Sequence, residues 1–482
     1  MTGWEYEMER ITGKAHGTST AGLKSDVIGL IGAVTFGVVM LSPAMTIYGG
    51  FGPSFLLAGN AAPLAFILAL VATLPTAISY ALLARSHPDA GSAASWIARF
   101  CPAGIARWAG WIVFLYYFTN FTIQPVTLGV FLSDLLVTMG LPASPEYYFL
   151  GALLCCLWPA WMVYRGIALS EKGALGFLVF ETVVVVALCL TVLLFASSRG
   201  ALHVSTVDVA GAGPSGSLVT GVFRAMVFGM LAFCGFDVIS TLAEEAKAPR
   251  TLIPQATFLA LVLFGVLIIA GIWILTFASS PEHLREVADS GAMPISEIAR
   301  IYWGKAAVFV PVTAISAALG LAIATSVGAS RIALAMGRSG NAPSWLAWLH
   351  PGHRVPWKAL HLVFGAGLAA AVFTGLVLGP YQAWVWWGTT STFFAMNTYM
   401  MVNVANLVLF RKSAAGSLAG FFLHGVIPVT GIMVDAYILV RSFFIELWNQ
   451  GWATGRSVIL VDVALALAAM LFALKRHDVK DA

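Results

Sequence analysis

Charge is what this sequence most lacks. Asp, Glu, Lys and Arg make up 10% of its 482 residues, where a soluble domain carries about 25%. So few polar side chains cannot cover a soluble body of this size, and neither an ordinary cytosolic enzyme nor a disordered scaffold fits. No large excess of one sign exists either. The 26 Lys and Arg stand against 22 Asp and Glu, a formal net charge of +4, too small to point to nucleic acid. Cysteine is scarce. Cys155, Cys156, Cys189 and Cys234 lie inside apolar runs and Cys101 lies in a basic segment, with no spacing that suggests disulfides or a metal site. There is no P-loop, zinc spacing or Ser–His–acid order, so no residue supports an enzyme or a self-contained ATP-driven pump.

What is abundant is apolar length. Hydrophobic residues reach 59% and the mean hydropathy is +0.88. A helix crossing a bilayer needs about 20 mostly apolar residues. Twelve stretches meet this: 25–50, 54–83, 104–136, 147–165, 169–197, 217–246, 250–278, 304–336, 359–379, 382–410, 419–441 and 453–475. The first lacks a small-residue cleavage signature and reads as a transmembrane helix rather than a signal peptide. Segment 91–101 reads as a short interfacial helix. An even count puts both termini on one side, and the positive-inside rule selects that side as the cytoplasm. Nineteen Lys and Arg then lie inside, six outside, and Arg224 within a span. The layout is a polar N-terminal tail (1–24), a ten-helix core (25–410, as repeats 25–197 and 217–410), two peripheral helices (411–475) and a short tail (476–482).

Two spans are interrupted. Span 1 holds Gly37 near its middle and Pro43 a turn and a half later; span 6 holds Gly235 and Asp237. Gly and Pro are common in membrane helices and give harmless kinks. Breaks at corresponding positions of two halves, however, point to a transporter binding site. Spans 1 and 6 open two five-helix sets, and because five is odd the second set is inverted relative to the first.

GFDVISTLAEEAKAPRTLIPQA (235–256), HPDAGSAASWIARF (87–100) and SRIALAMGRSGNAPSWLAWLHPGHRVPWKAL (330–360) resemble the span 6–7, pre-span 3 and span 8–9 signatures of the amino acid–polyamine–organocation (APC) transporters. The pattern is similar to the bacterial putrescine- and amino-acid-importing branches. The resemblance implies an all-α LeuT-like fold, a five-plus-five inverted repeat with helices 1 and 6 broken, plus two peripheral helices. It implies import of an amino acid or related amine across the inner membrane by alternating access. A proton is the expected coupling ion and sodium the alternative, with no cofactor. A polyamine importer, an exchanger and a non-transporting membrane sensor are the competing readings. The expected partners are the small substrate and the lipid bilayer, not nucleic acid, with the chain a monomer or homodimer.

The family's span 1 break usually reads Gly-Ser/Thr-Gly. Placing its downstream proline on Pro43 puts that motif at Phe36-Gly37-Val38, where only the centre is glycine. Residues bulkier than glycine weaken a carboxylate cradle and make a substrate without a carboxylate, such as a di- or polyamine, more plausible. The expected substrate site is Thr35, Phe36, Gly37, Val38, Asn120, Phe233, Gly235, Phe236 and Asp237. Intramembrane charge is costly and by default functional. Asp237 reads as a partner of a substrate amine, a proton site, or a cap of the second half-helix of span 6. Glu181 in span 5 aligns within one residue of a lysine that proton-coupled relatives often carry, so it reads as a proton-coupling group or as an acid hydrogen-bonded to span 1 or 8. Thr325 and Ser326 form a candidate ion site. Glu244, Glu245, Lys247 and Arg250 form a candidate inner gate. Arg224 reads as snorkelling, Asp435 and Asp462 as packing or dimer contacts, and Trp384, Trp386 and Trp387 as an aromatic belt. GAGPSG (211–216) matches a dinucleotide fingerprint but sits in an outer loop without a βαβ unit.

Overall fold

The computed structural model describes residues 23–198, 218–278, 283, 286–287, 294–448 and 455–478. GAGPSG and most of the N-terminal tail lie outside them. Apart from one isolated bridge, Ile28 to Ala246, the described residues are helices and their connections. In lipid each backbone N–H and C=O must find its partner within the segment, which long apolar runs achieve only as helices.

In chain order the helices are α1 (Leu30–Leu41), α2 (Pro43–Ala58), α3 (Ala62–Ser86), α4 (Ser92–Ala98), α5 (Ala103–Thr138), α6 (Glu146–Tyr164), α7 (Ile167–Ser198), α8 (Leu218–Ala232), α9 (Val238–Thr241), α10 (Pro249–Leu275), α11 (Pro294–Trp303), α12 (Phe309–Arg338), α13 (Trp357–Leu378), α14 (Pro380–Leu409), α15 (Arg411–Gly416), α16 (Leu418–Phe421), α17 (Ile427–Leu439) and α18 (Ser457–Asp478). A wide π-turn, Phe422–Val426, joins α16 to α17, and a second, Val440–Leu447, follows α17.

Among the described residues, ten helical stretches are long and apolar enough to cross a membrane, against twelve expected. Two features account for the difference. Leu30–Ser86 runs as one 57-residue stretch, about 85 Å at 1.5 Å per residue against a hydrocarbon core of about 30 Å. It turns back at Gly59, whose φ is 55°. The piece α8 has 15 residues, too few to cross unaided, because span 6 is interrupted after Ala232.

The span 1 break falls at Ser42 (φ 42°, ψ 99°), not at Gly37. Proline has no N–H for the carbonyl four residues back and disfavours helical geometry in the residue before it. The helix therefore runs unbroken through Gly37 and ends at Leu41, two residues before Pro43. Gly37 answers a different need: a Cβ there would stand 2.5 Å from Ile239 Cδ1, so glycine lets α1 lie directly on α9. The span 6 break centres on Gly235, with φ 123°, a conformation glycine adopts without penalty.

The four half-helices pair off. α2 packs against α8, and α1 packs against α9 and α10. Val27 and Ile28 N–H donate to the Glu245 carbonyl, both at 2.9 Å, and Lys247 N–H donates to the Ile28 carbonyl at 3.0 Å. The start of span 1 is thereby fastened to the end of span 6. α12 lies against α5, α6, α7 and α1 and is buried over most of its length. Its small residues (Ala, Gly, Ser, Thr) allow that close approach, as in membrane helix interfaces generally.

Candidate binding site at the two helix breaks

The breaks abut. A Cβ on Gly235 would stand 2.6 Å from Met40 Cγ and 3.1 Å from the Met40 carbonyl oxygen. Above this junction a cavity of about 610 Å³ extends to the end of the bundle marked by Leu56, Pro294, Tyr381 and Trp384. Met40, Leu41, Ser42, Met45, Tyr116, Asn120, Gln124 and Cys234 line its deeper part, and Thr389, Ser391 and Thr392 of α14 line one wall. Among the described residues that line it, none is Asp, Glu, Lys, Arg or His.

Asp237 sits below the floor, 2% exposed. Tyr116 Oη donates to its Oδ1 at 3.0 Å and Tyr399 Oη to the same oxygen at 2.7 Å, while Tyr117 Oη donates to Oδ2. The hydroxyl of Tyr399 also accepts the Gly235 N–H at 2.9 Å. A carboxylate removed from water costs several kcal/mol unless hydrogen bonds replace its hydration, and three phenols do so here. Its side chain makes no hydrogen bond to the start of α9, which removes the capping use. Tyr116 is the member of the cage that lines the cavity.

Glu181, also 2% exposed, reaches the other break. Ser42 Oγ donates to its Oε2 at 3.1 Å. Ser42 Oγ in turn accepts the Met45 N–H at 3.3 Å. The acid thus faces the amide end of α2, where the helix dipole favours negative charge.

The other expected residues distribute as follows. Asn120 lines the cavity and accepts from Gln124 Nε2. Thr35, Phe36 and Val38 are buried in α1, away from the lining, and Phe233 and Phe236 are fully buried. Phe236 packs against Tyr80 and Tyr399. Thr325 and Ser326 are buried with their hydroxyls donated to carbonyls of their own helix, at 2.7 Å to Leu321 and 3.0 Å to Ile323. Trp384 lines the cavity and Trp387 Nε1 donates to Thr374. Among the described residues no three His, Cys, Asp or Glu side chains gather as metal ligands would.

Opposite the cavity the bundle is sealed. Glu245 pairs with Arg331 at 2.5 Å with both side chains at most 2% exposed, and Glu244 pairs with Arg338 at 2.8 Å, half-buried. Ser92 and Ser240 share a hydrogen bond of 2.5 Å just above. This corrects the expected gate. Its acids find partners on α12, while Lys247 and Arg250 are exposed; α12 crosses beneath the end of span 6, a proximity that linear spacing hides. At the same face the His87 imidazole is held below its ordinary pKa by burial and by nearby Arg99 and Arg250.

The family model "Amino acid permease" matches residues 28–461. The chain belongs to the amino acid permease family. The permease is 27% identical over 427 residues to the low-affinity putrescine importer PlaP of Escherichia coli, covering 86% of this chain and 87% of that one. It is 27% identical over 420 residues to the branched-chain amino acid permease BcaP of Bacillus subtilis, at 84% and 83% coverage. Among solved structures, a manganese transporter from Eremococcus coleocola superposes with TM-score 0.60 at 12% identity, over 95% of this chain and 100% of that one. MhsT in complex with L-phenylalanine superposes with TM-score 0.59 at 15% identity, over 88% and 100%. The permease therefore has the LeuT-like fold and is a multi-pass membrane transporter of small molecules. Its sequence pointed to the two interrupted spans and to Glu181 and Asp237, the acids beside the breaks. It did not point to Tyr399, Ser42, Arg331 or Arg338. Tyr399 lies 162 residues from Asp237, and only the spacing of polar positions along α14 could have flagged it.

Proposed function

We propose that the permease imports an amino acid or related amine across the inner membrane. In this reading the cavity opens outward and the Glu245–Arg331 face is cytoplasmic, with both termini on that side, as the distribution of Lys and Arg favours. The observation that carries it is the meeting of two interrupted helices at the floor of a one-sided cavity, with a buried ion pair closing the other end. Free amides and carbonyls at such breaks meet the charged groups of a substrate. The uncharged lining above them favours a substrate whose charge is confined to one end, an α-amino acid or a monoamine, over a dication.

The coupling ion in this reading is the proton, with Glu181 as the loading group at the span 1 break and Asp237 as the second acid; sodium near Thr325 and Ser326 is the alternative. No step of the cycle calls for a cofactor or for enzymatic chemistry. The test is uptake into proteoliposomes across a panel of amino acids, monoamines and putrescine, with an imposed pH gradient or sodium gradient. The expected result is accumulation of a singly charged-end substrate driven by the pH gradient. Accumulation driven by sodium alone overturns the coupling, and absence of flux across the panel overturns transport of this class. Glu181→Gln is expected to lower gradient-driven accumulation at least fivefold.

A further inference from the structure

Arg107 is a buried cation without an acid. It lies in the second turn of α5, at the end of the bundle where Ser92 and Ser240 meet, and is 6% exposed. Its Nε donates to the Ala103 carbonyl at 3.1 Å, which folds the side chain back onto the first turn of its own helix. Among the described residues its guanidinium makes no other hydrogen bond, and no Asp or Glu pairs with it. A guanidinium carries five N–H donors in a planar fork, so most of this one is unused. A buried charge left without a counterion is strongly destabilising.

The place sharpens the problem. A helix begins with positive partial charge and with N–H groups that lack partners. α5 begins after Pro102 with no side chain capping it, and Ala103 and Ile105 are exposed. The buried cation therefore stands at the positive end of a helix that is open to its surroundings. Arg99, four residues before α5, is exposed and likewise has no ion pair among the described residues.

The end of α18 lies alongside. A Cβ on Gly104 would stand 3.6 Å from Leu474, Trp108 Nε1 donates to the Ala466 carbonyl at 3.1 Å, and Trp111 meets Phe472 edge-on at 5.7 Å. Lys475 and Arg476 follow Leu474 in the sequence. Both helices are long and apolar enough to cross a membrane, so these adjacent ends fall at its polar surface, where phospholipid phosphates lie.

We propose that the start of α5, with Arg107 and Arg99, is a seat for the phosphate of an anionic phospholipid, held where α5 meets the end of α18. A phosphate supplies what Arg107 lacks. Its oxygens accept from both arms of a guanidinium fork and from the free amides of a helix start. Basic recesses between membrane helices take anionic headgroups in this way. Inorganic phosphate offers the same chemistry from solution, and the test separates the two sources. The inference does not depend on the substrate or the coupling ion.

The test uses the full chain stripped of lipid in detergent. Its thermal midpoint is read with added phosphatidylglycerol, phosphatidylcholine or inorganic phosphate. Phosphatidylglycerol is expected to raise the midpoint at least twice as far as phosphatidylcholine does. Arg107→Gln keeps a donor for the Ala103 carbonyl and removes the charge. Without lipid this variant is expected to match or exceed the parent, because an unpaired buried charge is gone. With phosphatidylglycerol it is expected to gain less than half of what the parent gains, so the order of stability reverses; Arg107→Lys keeps more of the gain. The response to phosphatidylglycerol decides. A gain unchanged in Arg107→Gln overturns the seat, whatever the variant's stability without lipid, and leaves Arg107 a packing residue. If Arg107→Gln does not fold, the exposed Arg99→Gln decides in the same way. A gain that inorganic phosphate reproduces, and that Arg107→Gln loses, keeps the seat but overturns the lipid as its occupant.

Discussion

Gly235 shows how much one residue can be asked to do. Its φ of 123° belongs to a region where side chains cost about 1–3 kcal/mol, its N–H is held by Tyr399, and its bare Cα lets the two breaks touch. Gly235→Ala would add backbone strain and press a methyl group on Met40. The expected outcome is a fall in thermal midpoint together with loss of substrate-induced stabilisation, measured by thermal-shift on detergent-purified protein. Glycine and the acid two residues later were both legible in the sequence, because a polar group inside an apolar run is conspicuous. The three phenols around Asp237 were not legible. Tyrosines at membrane depth are common and uncharged, and their convergence depends on how α5 and α14 cross the break.

At the scale of the element, proline decides where span 1 breaks. The motif alignment placed the interruption at Gly37, but glycine merely permits a break, whereas proline removes a hydrogen bond outright. The family's usual motif drew attention upstream of the residue that acts. Pro43→Ala restores an N–H within reach of the Val39 carbonyl and lets α1 run on into α2. Such a variant is expected to be at least as heat-stable as the parent, while half-saturation for uptake rises at least tenfold, because the free ends at Ser42 vanish into a continuous helix. Loss of stability with unchanged uptake would sink this assignment. The span boundaries themselves were well marked by hydropathy, since lipid imposes length and apolarity on each crossing; the turn at Gly59 and the interruption after Ala232 blur only the count.

At the scale of the whole molecule, one face is closed by the buried Glu245–Arg331 pair. Removing one partner of a buried ion pair costs about 3–5 kcal/mol, far more than replacing both with apolar residues. Arg331→Met should therefore shift the molecule toward a state open at that face. With Ser240→Cys as reporter, thiol labelling from the Glu245 side is expected to rise severalfold in Arg331→Met and to return toward the parent level in Arg331→Met/Glu245→Leu. Equal labelling in all three would show that the pair does not hold the face shut. The sequence marked these acids through the family signature and grouped them with Lys247 and Arg250 in one charged cluster; their ion-pair partners lie 86 and 94 residues away, which spacing along the chain does not reveal.

The two ion pairs of that face differ in their access to water, and this has a consequence for the setting in which the protein works. Dissolved ions screen charges over about 8–10 Å of solution, but they do not enter the packed space around Glu245 and Arg331. Glu244 and Arg338, half in water, weaken as ionic strength rises; the inner pair does not. The closure of this face at Glu245 and Arg331 is therefore expected to hold as ionic strength rises, with the outer pair alone responding to salt.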